Sequence, residues 1–379
     1  MTVSEQQSAR FHQQTYVIDL HVHPSLKTFL FDKKLYKRYR TGGAWNPLAM
    51  RVDLPKIKAG GVNAILSSVY LPERKMIEDC RILNLLAIIL GKKFRSLKYG
   101  DPFQVTMNII EHFERAIDRA ASKGWNRVEV ARSATELNKI LAENKIAIIH
   151  SIEGAHSLAG KLENVEKFFR KGVCLFTLAH FYENEVTHTV GGIPEDKKFL
   201  GCFKNTVEQT GGLTDFGRQV VQEMFRLGIM VDLTHCTPAA RQEVYRLNTE
   251  NRPLVFSHVG VHQQNPVSMN PGDEEIKAIA NTGGVIGVLF MNFWLSPQHR
   301  KNGLDLIVHT IRHLKNVGGI DCVAIGSDFD GFTDPPDDIK DISQMPRLTH
   351  ALLNAGFSET EVEKILGGNV LRLLQNGWG

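Results

Sequence analysis

Two histidines, His21 and His23, stand two residues apart in the apolar, β-branched segment 16–23. On a β-strand, residues two apart point to the same face, so both imidazoles can bind one metal ion. This spacing alone does not establish a metal site, because His-X-His also occurs in proteins that bind no metal. The pair is therefore a candidate metal site that needs further ligands.

Further metal-binding side chains stand at the ends of other apolar segments. Segment 147–154 ends with Glu153, segment 229–236 with His235, and segment 254–259 with His258. We expect His235 and His258 to bind a second metal ion, and Glu153 to bridge the two ions. Imidazole and carboxylate ligands suit zinc first, with manganese, iron, cobalt or nickel as alternatives. The competing interpretation is a set of unrelated histidines, each hydrogen-bonded locally.

Asp328 lies at the end of the last apolar segment, within 326–331 (GSDFDG). A carboxylate there can face a metal-bound water, take its proton and return it to a leaving group, so Asp328 is our candidate for proton transfer. We also count Asp328 among the metal-binding residues, together with His21, His23, Glu153, His235 and His258. Asp330 is the alternative, although a turn at Gly331 explains it equally well. Asp19 and Asp232 are expected to support the ligands.

Eight short apolar segments recur along the chain, most of them followed by an amphipathic stretch. They are 16–23, 62–70, 147–154, 173–180, 229–236, 254–259, 284–291 and 323–328, and helical patterns include 163–170, 214–227, 238–247, 273–280 and 303–316. This alternation predicts an α/β fold with a parallel sheet, and favours a (β/α)8 TIM barrel. An open doubly wound sheet alternates similarly, but no GxGxxG follows an early strand. In a barrel, the residues at the strand ends meet at one face.

Three connections are longer than usual. Segments 27–51 and 181–212 follow the first and fourth strands, and we predict that both are active-site loops. Segment 79–104 is an apolar insertion whose run 82–90 is a lid helix, a homodimer contact or part of the core. No repeat or linker interrupts the chain, so residues 1–379 are expected to form a single domain.

Composition excludes several classes of function. The 45 Lys and Arg against 41 Asp and Glu give a net charge of +4, too small to indicate a nucleic-acid partner. No apolar run approaches the roughly 20 residues that cross a bilayer, so no membrane partner is expected. The five cysteines are scattered and the N-terminus resembles no secretory signal, which favours reduced thiols and a cytoplasmic location.

With these residues assembled, the chain resembles the membrane (renal) dipeptidase family of the amidohydrolase superfamily, from about Val17 to the C-terminus. The resemblance rests on 152–156 (IEGAH), 178–180 (LAH), 212–217 (GLTDFG), 231–235 (VDLTH), 256–258 (FSH), 326–331 (GSDFDG) and 367–369 (GGN). It implies a (β/α)8 barrel with two zinc ions. His21 and His23 would hold one ion and His235 and His258 the other, with Glu153 bridging. His180 would contact the substrate, and Asp328 would handle the proton.

Two positions depart from the family pattern. The family has His-X-Asp after the first strand, where this chain has His23 as the second residue of the pair. It also has an Arg-Asn pair that holds the substrate carboxylate, where this chain has Met269 before Asn270. No Lys or Arg occurs between Arg252 and Lys277, so the bidentate guanidinium clamp is missing from this loop.

The leading hypothesis is a binuclear metal-dependent hydrolase that cleaves an amide or peptide bond of a small molecule, with dipeptides as the inherited substrate. A hydroxide that bridges the metals attacks the carbonyl, one metal and His180 stabilise the oxyanion, and Asp328 moves the proton. The alternative, motivated by Met269, is an amide, ester or lactone without a free carboxylate. A third hypothesis is a barrel that binds a ligand without catalysis.

Overall fold

The fold is described from a computed structural model that covers residues 3–42, 46, 48–80, 87, 90–191, 210–298 and 300–378. Its strands are β1 (Ile18–Val22), β2 (Ala64–Tyr70), β3 (Val128–Ala131), β4 (Ile146–Glu153), β5 (Val173–Thr177), β6 (Met230–Asp232), β7 (Leu254–Val259), β8 (Val285–Val288) and β9 (Val323–Ile325). Each of the eight segments predicted to be strands overlaps one of them, and seven of the eight contain the whole strand. The ninth strand, β3, was not predicted.

The strands form one parallel sheet in the order β1-β2-β4-β5-β6-β7-β8-β9. A parallel bridge between Val22 and Phe329 brings the two end strands together and nearly closes the sheet. A closed parallel sheet surrounded by helices is a (β/α)8 TIM barrel, so the predicted fold class is confirmed.

Strand β3 shares one edge of β4 with β5. Val128 to Ala131 pair with Ile146 to Ile149, whereas β5 begins to pair with β4 at His150. The eight residues of β4 are enough for both neighbours. A four-residue strand of sequence VEVA is too short for its alternation to be recognised in the sequence.

Helices surround the barrel. They are α1 (Glu5–Gln14), α2 (Pro24–Phe31), α3 (Leu54–Ala59), α4 (Arg74–Asp79), α5 (Lys92–Tyr99), α6 (Pro102–Ala121), α7 (Ala134–Ala142), α8 (Glu163–Arg170), α9 (Asp215–Leu227), α10 (Pro238–Leu247), α11 (Asp273–Asn281), α12 (Asn292–Leu295), α13 (Leu304–Gly318), α14 (Met345–Asn354), α15 (Glu359–Glu363) and α16 (Asn369–Gly377), with 3-10 turns at Ala155–Leu158, Ile320–Cys322 and Ile342–Gln344 and a π-helical turn at Lys364–Gly368. Helices α8 and α10 have the bounds that were predicted. Thr237 caps α10 by accepting a hydrogen bond from the N–H of Ala240, and Pro238 occupies its first turn.

Strand β1 carries both apolar packing and site residues inside the barrel. Ile18 pairs with Ala64 of β2, which pairs with Ala147 of β4, six residues before Glu153 and therefore on the same, inner face. Ile18 and Leu20 belong to a buried apolar cluster that also contains Leu373 of α16. The pairing of β1 with β2 is irregular between Asp19 and Val22, so simple alternation does not hold along this strand. All five residues of β1 are buried, as in other all-parallel sheets.

Parts of the three long connections lie outside the described residues. These parts are 43–45 and 47 of the first, 192–209 of the second, and 81–86, 88 and 89 of the apolar insertion. Over the part of the chain that the structure describes, no helix is long and apolar enough to cross a bilayer.

Three cysteines, Cys174, Cys236 and Cys322, are buried free thiols. Cys80 takes part in a disulfide bond. The expectation that all five cysteines are reduced was therefore wrong for Cys80, because scattered spacing in the sequence does not reveal which sulfur atoms the fold brings together.

Candidate metal centre

Five of the predicted site residues meet at the carboxyl ends of the strands. His21 and His23 group with Glu153, and the same glutamate groups with His235 and His258. His21 lies on β1, Glu153 ends β4, and His258 lies on β7, while His235 follows β6. All five side chains are buried. Parallel strands of a barrel end at one face, which is why residues up to 237 positions apart converge here.

The carboxylate of Glu153 lies between the two histidine pairs. Its Oε1 is 3.4 Å from Nε2 of His21, 3.4 Å from Nε2 of His258 and 3.6 Å from Nε2 of His235. Its Oε2 is 3.5 Å from Nε2 of His23. Oε1 therefore faces both members of the second pair as well as His21, and Oε2 faces His23, so the carboxylate has an oxygen near each pair.

The spacing of the nitrogens fits bound cations. Nε2 of His21 and Nε2 of His23 are 3.0 Å apart, and Nε2 of His235 and Nε2 of His258 are 3.2 Å apart. Two ligands about 2.0–2.1 Å from one tetrahedral zinc ion lie roughly 3.3 Å from each other. A cation between each pair would satisfy nitrogen lone pairs that otherwise face one another inside the protein. The donor set therefore fits divalent ions.

The electrostatics of the cluster also favour metal binding. Burial, assisted by the charge of His21, holds the pKa of His258 well below its ordinary range, and burial lowers the pKa of His235. Burial alone would raise the pKa of Glu153, but the charges of His180 and His21 outweigh it and hold that pKa well below the usual value. Neutral His235 and His258 and an ionised Glu153 are in the forms that bind metals. Burial also lowers the pKa of His21, but the charge of Glu153 outweighs it and raises that pKa, so His21 would release a proton when an ion binds.

Two residues at the site have left-handed backbones. His235 has φ 65° and Asp328 has φ 58°, a region that few residues other than glycine adopt. The N–H of Asp328 donates to the carbonyl of His21 at 2.9 Å, which ties the segment after β9 to β1. Such strained conformations persist where the surrounding structure holds them, and they cluster at functional sites.

The structure brings Asp328, but not Asp330, to the histidines. Oδ1 of Asp328 is 3.2 Å from Nε2 of His23, and its side chain is 13% exposed, against 3% for Glu153. Asp330 instead accepts backbone N–H bonds from Arg51 at 2.7 Å and Val52 at 2.9 Å. Asp330 therefore anchors the segment before α3. Its two oxygens bind backbone there, whereas Asp328 lies at the open side of the cluster.

Asp232 forms hydrogen bonds that hold the segments carrying His235 and His258. Its Oδ2 accepts hydrogen bonds from the hydroxyls of Thr177 at 2.5 Å and Ser257 at 2.6 Å, and its Oδ1 accepts from the hydroxyl of Thr234 at 2.8 Å. The hydroxyl of Ser257 also lies 2.8 Å from Nδ1 of His258. One carboxylate thus joins β5, β6 and β7 immediately before the residues that carry the imidazoles.

His180 faces the cluster from the segment after β5. Its Nε2 is 3.9 Å from Oε2 of Glu153, and its Nδ1 is 2.9 Å from Oε1 of Glu73. Burial lowers the pKa of His180, but the charges of Glu73 and Glu153 outweigh it and raise that pKa above the ordinary value. For Glu73, burial acts in the opposite direction and would raise the pKa, but the charge and hydrogen bond of His180 lower that pKa to about 2.

The sequence analysis missed Glu73 and Tyr70. Tyr70 is the last residue of β2, and its hydroxyl donates to Oε2 of Glu73 at 2.5 Å. Glu73 precedes the first residue of α4. The rule that strand ends carry the chemistry would have found Tyr70 at the end of segment 62–70. Glu73 lies three residues beyond it, where no period or motif distinguishes a site carboxylate from a surface one.

The loop that carries Met269 and Asn270 is held by bonds within the protein. The Met269 side chain is 1% exposed, and its carbonyl accepts a hydrogen bond from Nη2 of the buried Arg241 at 3.1 Å. Oδ1 of Asn270 accepts from the N–H of Gly260 at 2.8 Å, and its Nδ2 donates to the carbonyl of Trp294 at 2.9 Å. Neither side chain therefore provides a group for a substrate carboxylate.

Comparison with known proteins gives a match along almost the whole chain. Residues 5–377 match the profile of the family described as membrane dipeptidase, peptidase family M19. The chain is 27% identical over 328 residues to dipeptidase tcpJ of Claviceps purpurea (strain 20.1), an alignment that covers 86% of this chain and 69% of that protein.

Two solved structures show the same fold. The probable dipeptidase PvdM from Pseudomonas aeruginosa has a TM-score of 0.79 and 20% identity, with 99% of this chain and 98% of that one covered. A metallopeptidase from Rhodobacter sphaeroides, liganded with a phosphinate mimic of the dipeptide L-Ala-D-Ala, has a TM-score of 0.77 and 23% identity, with 96% and 99% covered.

Proposed function

This chain belongs to the membrane dipeptidase family, peptidase family M19, and is a metal-dependent hydrolase; on that premise we propose that it cleaves an amide bond of a small, dipeptide-like substrate. The proposed centre holds two divalent ions, with zinc as the first candidate. His21 and His23 would hold one ion, and His235 and His258 the other.

The observation that carries the proposal is the position of Glu153 between the two histidine pairs. Its two oxygens lie 3.4–3.6 Å from four imidazole nitrogens. A single-ion site would not need a carboxylate that faces ligands on both sides. Ions held by these ligands would polarise the carbonyl of the scissile bond. They would also lower the pKa of a water molecule, so that it could attack the carbonyl as hydroxide.

The remaining steps fall to two side chains. Asp328 lies at the open side of the cluster, so its carboxylate can take a proton from the attacking water and return it to the leaving nitrogen. His180 presents Nε2 toward the cluster and can donate to the carbonyl oxygen as that oxygen becomes negative. Substrate would thus be held between Asp328 and His180.

Metal content and hydrolysis test this proposal together. Protein loaded with zinc should contain two ions per chain by mass spectrometry and should hydrolyse members of a dipeptide panel. Glu153→Gln, which keeps the shape but removes the charge, should lower both the metal content and the rate. One ion per chain would contradict the binuclear centre, and full occupancy without hydrolysis of any amide or ester would contradict the activity.

A second candidate substrate class is favoured by the loop of Met269 and Asn270. Since both side chains are occupied within the protein, this loop offers no cation for a free carboxylate. An amide, ester or lactone without a free carboxylate would fit such a site. Each dipeptide in the panel should therefore be compared with its C-terminal amide. Preference for the free acid would support dipeptides, and equal or faster cleavage of the amide would support the second class.

A further inference from the structure

We infer that Glu73 is a positioning residue that orients His180, so that Nε2 and not Nδ1 of the imidazole points to the proposed substrate position. The inference deepens the proposed function and rests on it for the role of His180. It concerns a carboxylate outside the two ligand groups, and it arises from the contacts of three neighbouring residues.

Glu73 is 6% exposed, and both of its oxygens have donors. Oε1 lies 2.9 Å from Nδ1 of His180 and accepts the N–H of Phe181 at 3.2 Å, while Oε2 accepts the hydroxyl of Tyr70 at 2.5 Å. An ionised carboxylate can only accept hydrogen bonds, so Nδ1 of His180 carries a proton. With Nδ1 bound to Glu73, the second N–H of the protonated imidazole, at Nε2, faces the cluster, where Nε2 lies 3.9 Å from Oε2 of Glu153.

Two aromatic rings confine the imidazole without choosing its orientation. The ring of Phe181 is 4.0 Å and the ring of Tyr70 is 4.4 Å from the ring of His180, measured between centroids. Apolar packing of this kind is nearly the same if the imidazole flips by 180° about its last side-chain torsion. Only a hydrogen bond distinguishes the two orientations, and Glu73 accepts that bond. A flipped ring would point carbon atoms toward the substrate position.

The kinetic test compares Glu73→Ala with Glu73→Gln. We expect Glu73→Ala to lower kcat by about 10- to 100-fold, with KM changed by less than about 3-fold, because an oriented donor acts mainly in the transition state. Glu73→Gln keeps an oxygen that can accept from Nδ1 and should recover most of the lost rate. The two zinc ions should remain bound in both variants.

A matched control is available elsewhere in the barrel. Glu114 pairs with the buried His150 on β4, with 3.3 Å between Oε1 and Nε2, and is not among the two ligand groups. Glu114→Gln removes the charge of a partly buried carboxylate that pairs with a buried histidine and should leave kcat and KM unchanged. Loss of rate in Glu114→Gln equal to that in Glu73→Ala would reduce the role of Glu73 to general stability and overturn the inference.

Nitrogen-15 NMR of the zinc-loaded protein directly measures which nitrogen of the His180 ring carries a proton. The signals of His180, assigned by their disappearance in His180→Gln, should show a protonated Nδ1 in the wild type. In Glu73→Ala, a large share of the rings should lose that proton, and Glu73→Gln should retain it. An unprotonated Nδ1 in the wild type, or no change in Glu73→Ala, would overturn the inference. If Glu73→Ala does not fold, the wild-type spectrum still decides.

This spectroscopic result does not depend on catalysis. A protonated Nδ1 in a protein that hydrolyses no amide or ester would contradict the proposed function while the orientation by Glu73 stands. Active protein with an unprotonated Nδ1 would leave the proposed function intact and overturn the orientation. The two failures are therefore distinguishable.

Discussion

Asp19 on β1 binds Ser327, which lies two residues beyond β9 and immediately precedes Asp328. Oδ1 of Asp19 accepts the N–H of Ser327 at 3.0 Å, and Oδ2 accepts its hydroxyl at 2.5 Å. Asp19 also accepts the N–H of His21 at 3.2 Å. A single carboxylate thus joins the first and last strands of the barrel, between a metal-facing histidine and the proposed proton-transfer group.

Asp232 and Ser257 repeat this relationship on the opposite side of the barrel. Ser257 donates its N–H to Asp232 at 2.9 Å and its hydroxyl at 2.6 Å, and it immediately precedes His258. In both places, an aspartate on one strand binds a serine on, or two residues beyond, the neighbouring strand, and the residue after the serine faces the cluster. The positions of His258 and Asp328 therefore depend on buried hydrogen bonds between strands.

Replacing Ser327 with Ala should destabilise the fold. Oδ2 of Asp19 would lose its hydroxyl donor inside the barrel, and an unsatisfied buried acceptor costs roughly 1–3 kcal/mol. Urea unfolding should show this loss as a lower midpoint. Ser122→Ala is a suitable control, since that hydroxyl binds the carbonyl of Arg119 at an exposed helix end. Equal stability of the two variants would contradict the role of Ser327.

Replacing Asp328 with Asn should stop turnover while the metal content remains unchanged. Asparagine tolerates the left-handed backbone at this position, so the local fold is expected to survive. Loss of a proton-transfer group should lower kcat by at least about 100-fold. Parallel assays of kcat and of zinc per chain decide the matter, with Asp337→Asn on the surface as the control. Simultaneous loss of metal and activity would make Asp328 a metal ligand instead.

Because Gly331 has no side chain, it leaves room for the carboxylate of Asp328. A Cβ at this position would lie 2.1 Å from Oδ1 of Asp328 and 2.9 Å from Cδ2 of His23. Gly331→Ala should therefore displace the carboxylate and lower kcat by about 10-fold or more, because proton transfer requires hydrogen-bond geometry. Gly272→Ala meets no atom within 4 Å and should keep the wild-type rate. A fully active Gly331→Ala variant would show that Asp328 need not hold this position.

Replacing His258 with Ala should remove one metal ion rather than both. His258 and His235 are the two imidazoles of the second ligand group, whereas His21 and His23 belong to the first. Mass spectrometry should find about one zinc per chain and hydrolysis should be lost. His313→Ala provides the comparison, because His313 pairs with Asp273 on the helix surface. Retention of two ions in His258→Ala would exclude it as a ligand.

Glu114 should contribute to stability in a way that depends on pH. Burial favours its neutral form, but hydrogen bonds from His150 and Lys171 outweigh burial and lower its pKa from 4.5 to about 2. A carboxyl whose pKa is lower in the folded state stabilises the fold above the unfolded pKa, and this contribution disappears as the pH falls from about 4.5 to 2. After allowance for solvent screening, the contribution is roughly 1–2 kcal/mol.

Unfolding measurements between pH 6 and pH 2 test this contribution. The stability of wild-type protein should fall more steeply below pH 4.5 than that of Glu114→Gln, which has no proton to gain at this position. Glu166→Gln is the control, since Glu166 pairs with Arg170 in a largely exposed ion pair worth little. Parallel pH profiles for wild type and Glu114→Gln would contradict the assigned pKa.

Much of the fold and of the metal centre could be predicted from the sequence, because the candidate site residues stand at the ends of the apolar segments that form the strands. Apolar segments that end in His, Glu or Asp identify both the strands and the cluster, since strand ends share one face in a barrel. The positions of Glu153, His235 and His258 followed from this rule. The amphipathic pattern likewise placed α8 and α10 with their observed bounds.

Other features depend on contacts that no local pattern encodes. Strand β3 exists because the first half of β4 has a free edge, and Glu73 reaches His180 because two loops from separate strands meet above the barrel. Asp328 and Asp330 differ in their bonding, since Asp330 binds two backbone amides of the segment before α3 whereas Asp328 lies beside His23. Sequence determined which groups collect at one face; tertiary structure decided their orientation, because hydrogen bonds between distant segments set it.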